Sequence, residues 1–328
     1  MTRLIVAGAG LIGARHAAHI AAHPDMELVA IVDPDPSVET FGARRFARIE
    51  DVACDADGIV IATPSHLHAD HAEVAAAKGW ACLIEKPVAH TRGDAARIAA
   101  LSVPTLVGHH RRHHSHIAAL KAALDAGWIG RAVTASLIWA VRKPDPYFQV
   151  PWRQGREGSP VMINLIHEVD LLRHLFGEVR DISALGSNAV RGAARIESGG
   201  VLIAFASGMV VSLAFADTTP SPWGFEAGTG ENPNIATTGQ DSWFITGTEG
   251  AISFPSLTLW QGASDWSEAP RASRLPVMPN VPLIAQLKHF CDVIAGVAQP
   301  VVSAADGARS LDATLRIEAA LLPQAEAA

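Results

Sequence analysis

Leu4-Ile5-Val6-Ala7-Gly8-Ala9-Gly10-Leu11-Ile12-Gly13 lies at the start of the chain and decides its first domain. Four apolar residues read as a strand, and the glycine triplet leads into a helical pattern over about 11–22. Each glycine has its own task. Gly8 permits a tight turn, Gly10 lets a pyrophosphate approach bare backbone, and Gly13 lets the helix pack close to the sheet. The helix start at Leu11 and Ile12 offers amide donors and partial positive charge to phosphates. Asp33 stands 20 residues past Gly13, at the end of the apolar run Leu28-Val29-Ala30-Ile31-Val32. A carboxylate there accepts hydrogen bonds from a ribose 2′-hydroxyl and repels a 2′-phosphate, and Pro34 follows where an arginine would clamp one. Strand, glycines, helix and acid together predict a dinucleotide site that prefers NAD to NADP.

The chain has 328 residues, 49% of them hydrophobic, and a mean hydropathy of +0.19, which is material for two buried cores. A net charge of −7 and a pI near 6.1 argue against nucleic acid and anionic membrane as partners, since both need a basic footprint. Small molecules remain. Cys54, Cys82 and Cys291 lack C-x-x-C spacing and read as reduced thiols rather than disulfides. With no cleavable apolar leader and no run of transmembrane length, the expected location is the cytoplasm.

Strand and helix alternate from residue 1 to about 120, with strands over 58–62, 81–84 and 105–107 and helices over 67–78, 92–101 and 117–126. That alternation predicts a doubly wound parallel sheet with helices on both faces. After Gly130 the pattern turns to strands over 132–141 and 179–185 and a hairpin, 201–206 and 209–214, around Ser207-Gly208. A large, mostly antiparallel open sheet follows from this, with helices over 160–176, 283–294 and 304–321. The expected fold class is therefore α/β, a Rossmann dinucleotide-binding domain over 1–120 and a substrate-binding and oligomerisation domain over 121–328. Residues 218–241, rich in Gly, Pro, Thr and Asn, read as a lid or subunit contact.

The strand over 81–84 ends in Glu85-Lys86-Pro87, at the sheet edge where doubly wound folds keep their ligand crevice. A lysine there can stabilise a developing alkoxide. The strand over 58–62 likewise runs into Thr63-Pro64-Ser65-His66-Leu67-His68. Asn164, His167 and Asp170 recur at i, i+3 spacing above a stripe of Leu165, Ile166, Val169 and Leu172. A histidine suits the removal of a hydroxyl proton near neutral pH, although a lone helical histidine is more often structural.

In this order the motifs resemble the Gfo/Idh/MocA family of NAD(P)-dependent oxidoreductases. The resemblance runs over essentially the whole length: the glycine triplet with His16 behind it, Thr63-Pro64 with His68, Glu85-Lys86-Pro87, Gly108-His109-His110-Arg111-Arg112, Trp152-Arg153, the helix of His167 and Asp170, and Gly247-Thr248-Glu249-Gly250. It implies an open C-terminal sheet that forms a homodimer or homotetramer. It also implies cofactor contacts at Thr63, Pro64, His68, Glu85 and Lys86, and substrate contacts at His110, Trp152, Arg153, Asn164 and His167. Lys86 and His167 match the lysine and histidine that flank the reacting carbon in such enzymes. There are departures. Ile163 stands where many members have a carboxylate or amide four residues before the histidine, and His109-His110 replace an aromatic and an amide.

His109, His110, His113, His114 and His116 offer chelating pairs, but with no carboxylate or thiolate nearby and two arginines interposed, no metal is expected. Arg142, Lys143, Tyr147, Trp152, Arg153 and Arg156 form a basic and aromatic stretch able to receive a carboxylated or polyhydroxylated ring. The alternative is a solvated loop whose charges pair with Asp145, Glu157 and Glu168, and Trp223, Phe225 and Glu226 read as cover for the ring's other side. The expected activity is an NAD-dependent dehydrogenase of a sugar, an inositol-like polyol, a sugar acid or a related cyclic alcohol, a carboxylated cyclic dihydrodiol among them. A hydrolase or lyase using tightly held NAD for transient oxidation is the alternative. A non-catalytic NAD-binding protein is disfavoured by the presence of both Lys86 and His167.

Overall fold

The structure, a computed structural model, describes residues 1–155 and 158–322, so Arg156 and Glu157 of the expected substrate stretch lie outside the described residues. The chain begins with β1 (Thr2–Ala7), α1 (Leu11–Ala22), β2 (Met26–Val32), β3 (Arg44–Phe46), β4 (Gly58–Ile61), α2 (His68–Ala77), β5 (Ala81–Glu85), α3 (Arg92–Ala99) and β6 (Thr105–Gly108). It continues through α4 (Ser115–Asp125), β7 (Ala132–Ala140), α5 (Ile166–Phe176), β8 (Val179–Ser187), β9 (Ser198–Phe205) and β10 (Val210–Ala216). It closes with α6 (Phe225–Thr229), β11 (Trp243–Gly247), β12 (Gly250–Phe254), β13 (Thr258–Gln261), β14 (Arg271–Arg274), α7 (Pro282–Ile294) and α8 (Ala304–Leu321).

These elements form two compact units. The first, Met1–His114 with Val281–Asp312, is built on a six-stranded parallel sheet of order β3-β2-β1-β4-β5-β6. Its strand order reverses between β1 and β4, and a ligand crevice forms over the carboxyl ends at such a switch point. Every residue of β4 and β5 is buried, as a parallel sheet covered on both faces requires. By packing, Val281–Asp312 groups with the N-terminal residues. A Cβ on Gly58 would lie 2.9 Å from Ile294 and 3.0 Å from Phe290, so α7 meets β4 through these two side chains, while Leu283, Leu287 and Val293 are also buried on it. Beyond it, Val107 donates its N–H to the Val302 carbonyl at 2.9 Å, which extends the sheet past β6.

The second unit, Ser115–Asn280 with the described residues after Asp312, carries an eight-stranded sheet of order β14-β13-β12-β11-β7-β10-β9-β8. Among the described residues only β7 and β10 pair in parallel within it. The strands alternate with period two. Leu137, Trp139, Ile203, Phe205, Leu213 and Phe215 face a core completed by Ile117 and Leu120 of α4, Val169 and Leu172 of α5 and Ile317 of α8. The other face presents Leu202, Phe244 and Trp260, 54%, 48% and 40% exposed. The helix expected over 160–176 starts instead as a π turn, Val161–Leu165, and becomes α-helical at Ile166. Ser159 stabilises that start by accepting the Val161 N–H at 3.1 Å while donating to Glu318. The wider turn takes Asn164 out of the α register that His167 and Asp170 share. Among the described residues no helix is long and apolar enough to cross a membrane.

Candidate active site

The carboxyl edge of the six-stranded sheet holds a cradle shaped by what its glycines lack. Gly8 has φ +85°, and a Cβ on it would lie 2.6 Å from the Ala62 carbonyl oxygen. A Cβ on Gly13 would fall 1.7 Å from the Gly8 carbonyl oxygen, so α1 can pack this close only with glycine there. Gly10 is different. A Cβ on it would meet nothing within 4 Å, which leaves the start of α1 open to an approaching group. Among the described residues no side chain caps that helix and no acidic residue occupies its first turn, so the amide end around Leu11 and Ile12 keeps its positive character. Asp33 is fixed beside the loop: its carboxylate accepts the N–H of Ala9 at 2.7 Å and of Asp35 at 3.0 Å. Arg45 of β3 donates to the Asp33 carbonyl at 2.7 Å. Open space at Gly10, an uncapped helix start and a positioned carboxylate fit a dinucleotide.

Next along the same edge, β5 ends at Glu85, and Lys86 follows it. Nε2 of His16, from α1, lies 2.8 Å from Oε1 of Glu85, and both residues are buried. Burial alone would raise the Glu85 pKa. The hydrogen bond and charge of His16, with the charges of His110 and Lys86, outweigh that and hold it at about 2. Glu85 also accepts the Lys86 N–H at 3.2 Å, and a Cβ on Gly108 would press on Glu85 at 3.0 Å. Lys86 is half-buried and joined to Pro87 by a cis peptide. His68 is buried, with Nε2 2.8 Å from the Thr63 carbonyl and Nδ1 3.1 Å from the Pro87 carbonyl. It thus bridges the segments that leave β4 and β5. Burial lowers its pKa against the pull of these carbonyls. The Thr63 hydroxyl pairs with Nδ1 of His71 at 3.1 Å. Gly8 to Gly13, Asp33, Thr63, Pro64, Glu85 and Lys86 therefore share one sheet edge, as the sequence predicts.

In the second unit His167 is buried in the first turn of α5, and Asn164 is half-buried in the preceding π turn. Trp152 is 49% exposed, and the Arg153 guanidinium packs 4.1 Å from the Tyr147 ring and 5.4 Å from that of Trp152. The stretch divides here, for Lys143 is buried while Arg142 and Asp145 are exposed. The Lys143 ammonium lies 3.7 Å from Asp217 and 5.2 Å from the Tyr147 ring centre. Burial pulls its pKa down to about 8 against the opposing charge of Asp217. Phe225 and Glu226 are both buried. Phe225 stacks on Phe254 at 5.2 Å inside the core, and Glu226 accepts the Trp139 indole N–H at 3.0 Å. Two arginines that the sequence reading passed over, Arg191 and Arg195, converge on Asp217. They sit in an aperiodic connection and their partner lies more than twenty residues further on, so local pattern gives no sign of the cluster. The His113 ring lies 5.2 Å from that of His289, and among the described residues no group of three or more side chains is placed to hold a metal ion.

Two family models match the chain, an oxidoreductase family with an NAD-binding Rossmann fold over residues 2–105 and the GFO/IDH/MocA C-terminal domain over 117–253. An inositol 2-dehydrogenase of Rhizobium meliloti (strain 1021) is 31% identical over 220 residues, 61% of this chain and 64% of the relative. A 1,5-anhydro-D-fructose reductase of Ensifer adhaerens is 29% identical over 274 residues, 80% of this chain and 77% of that one. The match to the first thus spans just under two thirds of the relative's length. Among solved structures, a putative myo-inositol dehydrogenase from Sinorhizobium meliloti 1021 superposes with a TM-score of 0.74 at 24% identity, covering 97% of this chain and 98% of that one. The WlbA dehydrogenase from Bordetella pertussis, solved with NADH and UDP-GlcNAcA, gives 0.77 at 21% identity, covering 97% and 95%. These likenesses are of fold.

Proposed function

The chain belongs to the GFO/IDH/MocA oxidoreductase family, and from that membership we propose that it is an NAD-dependent dehydrogenase. Its substrate is a secondary alcohol of a sugar, polyol, sugar acid or related cyclic alcohol. One observation carries the reading: half-buried Lys86 directly follows β5, on the sheet edge that also holds the open cradle at Gly10 and the fixed carboxylate of Asp33. NAD, when bound, supplies the acceptor for the hydride of the carbinol carbon. The remaining steps belong to side chains. The imidazole of His167 takes the hydroxyl proton, and the Lys86 ammonium donates to the substrate oxygen as negative charge develops on it. Glu85 is held ionised by its bond to His16 and places a negative charge beside Lys86. His68 positions the Thr63 and Pro87 backbones. His110, Trp152, Arg153 and Asn164 are assigned to the substrate. The outward face bearing Leu202, Phe244 and Trp260 is assigned to a second copy of the chain, which supports a homodimer or homotetramer.

The test is the near-ultraviolet absorbance of NADH with NAD and a panel of sugars, inositols, sugar acids and cyclic diols. NADH formation with one class supports the reading. NAD binding with no NADH across the panel would instead favour redox-neutral chemistry.

A further inference from the structure

β3 lies at the edge of the six-stranded sheet and buries one of its three residues, Phe46, so packing alone gives it little to do. Its contacts converge on Asp33. Asp33 donates its N–H to the Phe46 carbonyl at 3.0 Å, and Arg45 donates through Nη1 to the Asp33 carbonyl at 2.7 Å. The strand thus grips the backbone of this residue on both sides. The register permits it, for Arg45 pairs with Ile31, and alternation along β2 carries Asp33 to the face of Ile31. Pro34 brings no N–H, which leaves the Asp33 carbonyl as the polar group of that peptide. Arg45 is half-buried. Among the described residues that carbonyl is its one hydrogen-bond acceptor, and no carboxylate lies within ion-pair distance of it.

The side chain of Asp33 is tied to the cofactor loop. Oδ2 accepts the Ala9 N–H at 2.7 Å and Oδ1 the Asp35 N–H at 3.0 Å. Each carboxylate oxygen can accept twice, so one position on each is left for a ribose hydroxyl, and its direction depends on how the residue is held. Asp35 accepts the Ser37 hydroxyl at 2.6 Å and the Ser37 N–H at 2.8 Å. Those bonds, with the charge of Arg45, hold the Asp35 carboxyl below the usual carboxylate range. Asp33, Asp35 and Arg45 together carry a net charge of −1. Such a balance suits a neutral diol and opposes a 2′-phosphate, and the arginine spends its bond on backbone rather than serving as a phosphate clamp.

We propose that Arg45 is a positioning residue for cofactor choice: by holding the Asp33 carbonyl it keeps the Asp33 carboxylate on the glycine loop and aimed at the ribose 2′-hydroxyl. Without that bond the peptide between Asp33 and Pro34 turns more freely, and the carboxylate leaves the Ala9 amide more often. A diol then loses its acceptor, and a 2′-phosphate meets less repulsion. The inference rests on Asp33 as the ribose acceptor and adds the residue that makes it selective.

Fluorescence titration of the full chain with NAD and with NADP, in the absence of substrate, tests it through the ratio of the two affinities. Arg45→Met and Arg45→Gln are each expected to narrow the preference for NAD about fivefold or more, and the use of two neutral variants guards against a folding defect in one. Arg45→Lys keeps a donor for the carbonyl and is expected to retain a wider preference than either. The sign of the change is decisive. Loss of a cation acting by charge alone would weaken NADP more than NAD and widen the ratio, and a purely structural role would lower both affinities alike. A ratio that widens or stays unchanged in the neutral variants, or an Arg45→Lys ratio no wider than that of Arg45→Gln, overturns the inference. The double variant Asp33→Ser/Arg45→Met is expected to match Asp33→Ser alone, and further narrowing would show that Arg45 does not act through Asp33. The two readings fail separately. A ratio narrowed by Asp33→Ser but by neither neutral arginine variant removes Arg45 and leaves Asp33, whereas a ratio unmoved by Asp33→Ser removes the ribose acceptor itself.

Discussion

Oδ2 of Asp33 accepts the backbone N–H of Ala9 at 2.7 Å, which joins the acid at the end of β2 to the middle of the glycine loop. The residue proposed to select the ribose is therefore also bonded to the glycine loop, and substituting it is expected to disturb both ends of the proposed cofactor site. Asp33→Ser is expected to weaken NAD by about tenfold or more and to narrow the preference over NADP by at least as much, because the repulsion of a 2′-phosphate goes with the carboxylate. Fluorescence titration with both cofactors measures this, and an unchanged ratio would remove Asp33 from the selection.

Gly10 and Gly13 separate folding from binding. Gly10→Ala adds a methyl group that meets nothing within 4 Å, at a backbone φ of −65° that alanine accepts. Its thermal unfolding is expected to move by no more than about 1 kcal/mol, while NAD affinity falls about tenfold or more. Gly13→Ala places the methyl 1.7 Å from the Gly8 carbonyl oxygen and is expected to cost about 3 kcal/mol or more of stability. Full NAD affinity in Gly10→Ala would show that the phosphates do not approach there.

The pair of His16 and Glu85 gives a pH signature. Glu85 is held at about 2 against an ordinary value of 4.5, so its contribution to stability is complete above pH 4.5 and is lost as the pH falls from 4.5 toward 2. His16→Leu leaves the buried carboxylate without its partner and is expected to cost about 3–5 kcal/mol. Denaturant unfolding across that window checks both points. A variant as stable as the parent at neutral pH would contradict the account of the pair.

Lys143 carries the opposite sign. Its pKa falls from 10.5 to about 8, so between these values the unfolded chain binds more protons and stability rises with pH. Asp217, Arg195 and Glu226 are the charged groups that act on it. Lys143→Met is expected to flatten a rise of about 3 kcal/mol between pH 8 and 10.5, measured by urea unfolding at fixed ionic strength. An identical slope in parent and variant would show that the buried ammonium is not the source.

What the sequence revealed divides along the range of the interactions. Gly8, Gly10, Gly13 and Asp33 were legible because their constraints act within a turn or at a strand end, and β1, β2, β4 and β5 were legible as apolar runs. The three-residue strand β3 carries too little pattern to register alone. The π turn before α5 preserves the apolar spacing of a helix while altering its pitch, so the i, i+3 relation of Asn164 to His167 looked intact in the sequence and is not. Phe225 read as an active-site aromatic because it sits in a Gly- and Pro-rich stretch, yet Trp243 and Phe254 take it into the core. The docking of α7 on β4 and the cluster around Asp217 depend on residues far apart in the chain, which no local periodicity records.

The most direct test of the central claim, that Lys86 and His167 carry out hydride-coupled oxidation of an alcohol by NAD, compares NADH formation by the parent, Lys86→Ala and His167→Ala on whichever substrate gives a signal, with NAD affinity measured separately. A fall of about 10²–10⁴ in rate for both variants, with NAD still bound by His167→Ala, is the expected result. Undiminished NADH formation in either variant would contradict it.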